Sequence, residues 1–377
     1  MEKCYFDFRD IFQAIRYGFS GRKIAVHLGG LVLAYLIYQI LVYLSIFVVG
    51  NTTVQDFWNK YGLLPVLPFS DTGLTQTTEI AMWIGVVCFA CIFFLANTVV
   101  SKITIEQLRG DFFFSVSDAV TFLKRHWKSV FGAFIGLLLI QIFLALIPLS
   151  IAGLGKVPVI GKPILTISSL FMPLGFFLGV LIALIAAVFG VSLLFVPAVV
   201  ATTGADAFET IYQQFAIVWN QPWRTVCYEV MLFLMKLVFV PIWAFFSLAG
   251  FSIVMLPVSL LHAAEMEHIT ACANLWLGGA IEKITMLPYI NTFGVFNIGI
   301  AMKEASAFTT TVTAIFLTLT ILMVIGLVIA YLFSIASAGN TMVYLVLRKK
   351  IDGHNLVEPS DTEEIETPDV EHEPAVK

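Results

Sequence analysis

The chain of 377 residues is 59% hydrophobic and only 12% charged, with 14% aromatic residues and a formal net charge of −4. Soluble domains carry about 25% charged residues, and a water-soluble fold of this length cannot hide so much apolar surface. Long unbroken apolar runs also exclude a β-barrel, whose strands alternate over about 10 residues. The composition predicts an all-α, polytopic membrane bundle.

The N-terminal stretch "MEKCYFDFRDIFQAIRYGFSGRK" is amphipathic and charged, unlike a secretory signal. Six segments are apolar for the roughly 20 residues that a bilayer crossing needs: 24–50, 80–100, 130–153, 173–200, 225–250 and 308–338. Placing the N-terminus inside puts fifteen Lys and Arg on the cytoplasmic side and five outside. That bias predicts two cytoplasmic termini. Cys88 and Cys91 form a C-x-x-C inside "VVCFACIFF", with no cation nearby to stabilise a thiolate, and read as small hydrophobes.

The outer segments are rich in Pro and Gly, as in "LLPVLPF", "KVPVIGKPIL" and "MLPYI". Residues 154–172 and 251–300 are expected to be interfacial or re-entrant, with their backbone satisfied by protein or water. The membrane domain is expected over 1–350. The acidic tail, 351–377, has no apolar period and is expected to be disordered. It suits a basic partner. From Asp352 onward it holds nine acidic groups against one Lys, so the rest of the chain is mildly basic.

One motif recurs. Asp10, Asp118 and Asp206 each open a stretch with apolar residues two, five and nine positions on. These are Phe12, Ile15 and Phe19; Val120, Leu123 and Trp127; and Phe208, Ile211 and Phe215. The spacing is helical, and each Asp sits where an N-cap or first-turn carboxylate belongs. Gln13 and Arg16, Thr121, Lys124 and Arg125, and Glu209, Gln213 and Gln214 fall on the opposite face. Three cytoplasmic interfacial helices are expected, polar face to water, each leading into a helical hairpin. The hairpin units would be 8–100, 116–200 and 205–338.

"DAFETIYQQFAIVWNQPWR" (206–224), together with "VYLVLRKKIDG" (343–353), resembles a group of multipass bacterial inner-membrane proteins with no assigned activity. The resemblance implies topology and a bacterial inner-membrane location, and no catalytic residue. Tyr212-Gln213 stands where that group often has Ser-Arg, so the helix is less basic here.

Lys236 falls near mid-span with Glu229 two turns away on the same face, a pairing that would suit a transport pathway. Lys102, Arg109, Lys124, Arg125 and Lys128 form a cationic group suited to anionic headgroups at about 1 kcal/mol per charge. The same charges also meet the positive-inside rule. His262, Glu265 and His268 have a spacing that metal sites use, though without the zincin pattern. No motif for acyl transfer, phosphate cradling or dinucleotide binding occurs. No basic patch suits nucleic acid, and no cofactor is expected. The sequence supports an integral membrane protein, non-catalytic, that organises membrane components or handles lipid or a small solute. A transporter using Glu229 and Lys236, or a membrane metalloenzyme, stands as the alternative. Membrane lipids, and other membrane proteins beside them, are the expected partners.

Overall fold

The computed structural model describes residues 5–49, 54–66, 68, 74–158, 160–277, 308–353 and 355–358. Among them the regular structure is entirely helical: α1 (Phe8–Gly18), α2 (Gly21–Val49), α3 (Val54–Tyr61), α4 (Gln76–Arg109), α5 (Val116–Leu154), α6 (Gly161–Leu170), α7 (Met172–Thr203), α8 (Ala207–Asn220), α9 (Pro222–Leu261), α10 (Ala263–Trp276) and α11 (Phe308–Asp352). Helices α2, α4, α5, α7, α9 and α11 are long and apolar enough to cross a membrane. The chain is a multi-pass membrane protein built as a helical bundle.

Several boundaries move from where the sequence placed them. The segment starting at Asp118 is no separate interfacial helix: α5 runs unbroken from Val116 to Leu154, because no Pro or Gly interrupts 116–131. Residues 251–261 extend α9, with Pro241 and Pro257 inside it. The last helix reaches Asp352 and ends at Gly353, whose φ of 73° suits a glycine at a helix C-terminus. Residues 278–300 and most of the acidic tail lie outside the described residues.

The chain forms two compact units. One comprises Met1–Ala14, Thr98–Met231 and Ser337–Lys377. Here α5, α7 and α8 pack against one another pairwise. Val130, Ala133 and Leu137 of α5, Val188, Phe195 and Val199 of α7, and Ile217 of α8 are buried. Two glycines one turn apart set the approach of α5 to α8. A Cβ on Gly132 would stand 2.8 Å from the Cβ of Ala207, and one on Gly136 would stand 2.8 Å from Cδ1 of Ile211. This is small-xxx-small packing, in which missing side chains let two helices approach closely. The starts of α5 and α8 are capped, α8 by the expected Asp206 and α5 by Ser115, with Asp118 in its first turn. Ser115 accepts the Asp118 N–H (3.1 Å) at α5, and Asp206 accepts the Glu209 N–H (2.8 Å) at α8. Pro222 opens α9, where its missing N–H costs nothing.

The other unit comprises Ile15–Asn97 and Leu232–Ala336. One of its cores gathers Tyr38, Val42 and Ile46 of α2 with Phe57, Val66 and Met82. A second joins Met266, Ile269 and Ala273 of α10 to Ala314, Leu317 and Ile321 of α11. The Pro-interrupted segment after α3 is held by side-chain donors of α2. Tyr35 Oη and Gln39 Nε2 both donate to the Leu63 carbonyl, at 2.5 and 2.6 Å. Tyr43 donates to the Gly62 carbonyl (2.6 Å) and Tyr38 to that of Val66. The Leu63 N–H donates to the Trp276 carbonyl at 2.7 Å. An apolar, non-helical stretch thus has its backbone satisfied by protein. Tyr38→Phe leaves a buried carbonyl without its donor. It should destabilise this unit by about 1–3 kcal/mol, read as a lower melting temperature in detergent with unchanged secondary structure.

Candidate functional site

Of the polar residues on α8, Gln213 and Gln214 are turned inward, not to water, while Glu209 is exposed. Gln213 is 1% exposed and Gln214 0%, whereas Phe208 is 80% exposed and Trp219 75%. Tyr212 is exposed as well, and Phe215 lies half-buried between it and Trp219. The outward stripe is therefore 208, 212, 215 and 219, and at the two glutamines the expected wet side is the protein-facing side. Helix α1 repeats the spacing. Phe8, Phe12 and Phe19 are exposed and Ile15 half-buried, while Ile11 and Ala14 are buried. Four aromatic or apolar side chains at i, i+4, i+7 and i+11 form one outward face on α8, and three do so on α1, with Phe19 just past its end.

The buried glutamine joins the two motifs that carry the family resemblance. Tyr344, at the start of "YLVLRKK", donates its hydroxyl to Gln213 Oε1. Gln213 Nε2 donates to Glu209 Oε1 at 2.9 Å. Tyr344 is wholly buried, so this relay fastens α8 to α11 within one unit. Gln214 differs from its neighbour: neither polar atom of its side chain has a hydrogen-bond partner among the described residues.

The five cations expected at headgroups separate into two kinds. Glu106 takes both Lys102 (2.7 Å) and Arg109 (3.2 Å). Lys102 also stands 4.6 Å from the centre of the Phe122 ring, and Arg109 donates to the Leu356 carbonyl at 3.3 Å. These two are engaged in holding α4 to its surroundings. Lys124, Arg125 and Lys128 are exposed on adjacent turns of α5, and none has an ion-pair partner among the described residues. Lys128 lies 6.0 Å from the ring centre of exposed Trp127. Beyond them the same helix turns an apolar exterior outward through Ile135, Leu138, Leu139 and Ile142. A cationic turn, an indole and then an apolar surface is the order in which a helix meets headgroups and acyl chains.

The remaining candidates lie apart. Glu229 and Lys236 are both half-buried on α9, Glu229 in the first unit and Lys236 in the second, and each interacts with neighbours. His262 occupies the N-cap position of α10 without a side-chain capping hydrogen bond, while Glu265 and His268 are exposed along the helix. No group of three or more His, Cys, Asp or Glu able to hold a metal ion occurs among the described residues. Cys88 and Cys91 are free, half-buried thiols. The Gly132-x-x-x-Gly136 seam and the Tyr344–Gln213 bond are features that the sequence reading passed over. The first was visible as a small-residue pair in an apolar helix; the second had no local signal.

No known protein family, curated protein or solved structure matches the chain. The resemblance to multipass bacterial inner-membrane proteins therefore rests on the two motifs alone.

Proposed function

We propose that this is a non-catalytic protein of the bacterial inner membrane, with both termini cytoplasmic, that gathers anionic lipid at the cytoplasmic end of α5. The observation that carries this reading is the exposed trio of Lys124, Arg125 and Lys128 beside Trp127, without an ion-pair partner among the described residues, at the head of an apolar helix surface. The outward aromatic faces of α1 and α8 support it, since such residues suit the bilayer interface. Phosphate-bearing headgroups are the partners this chemistry selects, through charge and hydrogen bonding.

The test is lipid selectivity in the reconstituted full chain. Spin-labelled phosphatidylglycerol should associate with wild type more strongly than spin-labelled phosphatidylcholine. Each neutralised charge in Lys124→Gln, Arg125→Gln and Lys128→Gln should weaken that preference by about fivefold, less at high salt. Lys102→Gln should change it little, because Glu106 already holds that ammonium. An unaltered preference in the triple variant would contradict the reading.

A further inference from the structure

Another cation behaves differently from all of these. Lys23 sits in the first turn of α2 and is 0% exposed. Its Nζ has no hydrogen-bond partner among the described residues. The ammonium lies 5.4 Å from the ring centre of Tyr17, which precedes α2. A first-turn side chain leans toward the N-terminal end of its own helix. The first-turn N–H groups of a helix lack intrahelical acceptors, and the dipole adds positive potential there. Ammonium and helix terminus thus converge on one place, and both call for an anion. A buried charge with no counter-group is strongly disfavoured until one arrives.

The surroundings indicate what kind of anion. Phe19, Trp243 and Tyr331 meet edge to face or tilted, with ring centres 5.1–5.6 Å apart. Gly18 lies so close to α11 that a Cβ there would stand 2.8 Å from the Ile335 Cα, and its carbonyl accepts from Ser334 (2.7 Å). The turn that presents Lys23 is thereby fixed. Along the same face of α2, His27 and Gly30 line a narrow, mainly apolar crevice with Phe89, Phe93 and Phe333. All of these residues belong to one unit.

We propose that Lys23 and the first turn of α2 form an anion site for the phosphate of a membrane lipid headgroup, with the aromatic wall and the crevice beside it taking apolar parts of the same molecule. This site is separate from the exposed turn of α5, and neither depends on the other.

The experiment follows thermal melting of the full chain in dodecyl maltoside, with dioleoylphosphatidylglycerol, dioleoylglycerol or inorganic phosphate added. A ligand that binds only the folded state raises the melting temperature. Phosphatidylglycerol should raise it in wild type, and by less than half as much in Lys23→Met, which breaks no hydrogen bond among the described residues and should fold. Lys23→Gln serves the same comparison should the methionine variant not be recovered, and Lys23→Arg should keep most of the shift. The α5 triple variant should retain the Lys23-dependent part, so loss of one reading leaves the other standing. An equal shift in wild type and Lys23→Met overturns the site. So does equal stabilisation by dioleoylglycerol, which has no phosphate. A Lys23-dependent shift with millimolar inorganic phosphate that equals the lipid's supports the anion site and overturns lipid as its source.

Discussion

Gly132→Leu should destabilise the protein by about 3 kcal/mol or more, the largest single-residue effect expected here. The added side chain would enter a seam where even a Cβ stands 2.8 Å from the Cβ of Ala207. Overpacking a fitted contact typically costs 1–3 kcal/mol, and Ala207 has no rotamer by which to withdraw. Alanine substitutions give a finer test. Gly132→Ala meets the same immovable Cβ and should lower the melting temperature. Gly136→Ala meets the end of the Ile211 side chain, which can rotate away. Its steric cost should be offset by the better helix propensity of alanine, worth up to about 1 kcal/mol. The expected order of melting temperatures is Gly136→Ala, close to wild type, then Gly132→Ala, then Gly132→Leu. Equal melting of the two alanine variants would show that α5 and α8 do not approach along this seam.

The second large effect concerns two adjacent glutamines with opposite expected outcomes. Gln213→Leu removes the acceptor of the buried Tyr344 hydroxyl and the donor to Glu209. It should destabilise by about 1–3 kcal/mol, because a buried polar group left unmatched bears its desolvation cost in full. Tyr344→Phe should cost a similar amount. The double variant should lose less than the sum of the two, since both break one bond. Gln214→Leu removes two buried polar atoms that have no partner among the described residues. It should leave stability unchanged or raise it. Chemical denaturation of all four variants in one detergent separates these outcomes. A loss at Gln214 as large as that at Gln213 would mean that Gln214 has a polar partner in the membrane.

Much of the architecture was legible because a bilayer writes strongly on sequence. Apolar length marked all six long helices. Asp206 and Pro222 marked the start of α8 and of α9 through capping and the tolerance of proline in a first turn. The orientation of α8 was not legible. A helical period finds two faces, but in a lipid solvent the apolar face has no compulsion to turn inward. Gln213 is buried because Tyr344, 131 residues away in sequence, supplies its hydrogen bond. Phe208 and Trp219 point outward, an arrangement that suits a helix at a bilayer interface. The second interfacial helix merged with its span for a local reason: 116–131 holds neither Pro nor Gly, so nothing ends it.

The candidate site was half legible. Five cations were visible as a group, yet only tertiary structure separates Lys102 and Arg109, held by Glu106, from the exposed trio on α5. Lys23 gave no signal at all. In sequence it is one of two basic residues flanking a span, as the positive-inside rule requires. Only its burial and its nearness to the Tyr17 ring distinguish it from exposed Arg22.

The most direct measurement of the central claim is an electron cryomicroscopy map of the full chain in nanodiscs of phosphatidylglycerol. The account predicts headgroup density within hydrogen-bond reach of Lys124, Arg125 or Lys128, with Trp127 at the level of the glycerol backbone. A map that places this turn of α5 in bulk water, with lipid ordered elsewhere and none at these residues, would contradict it.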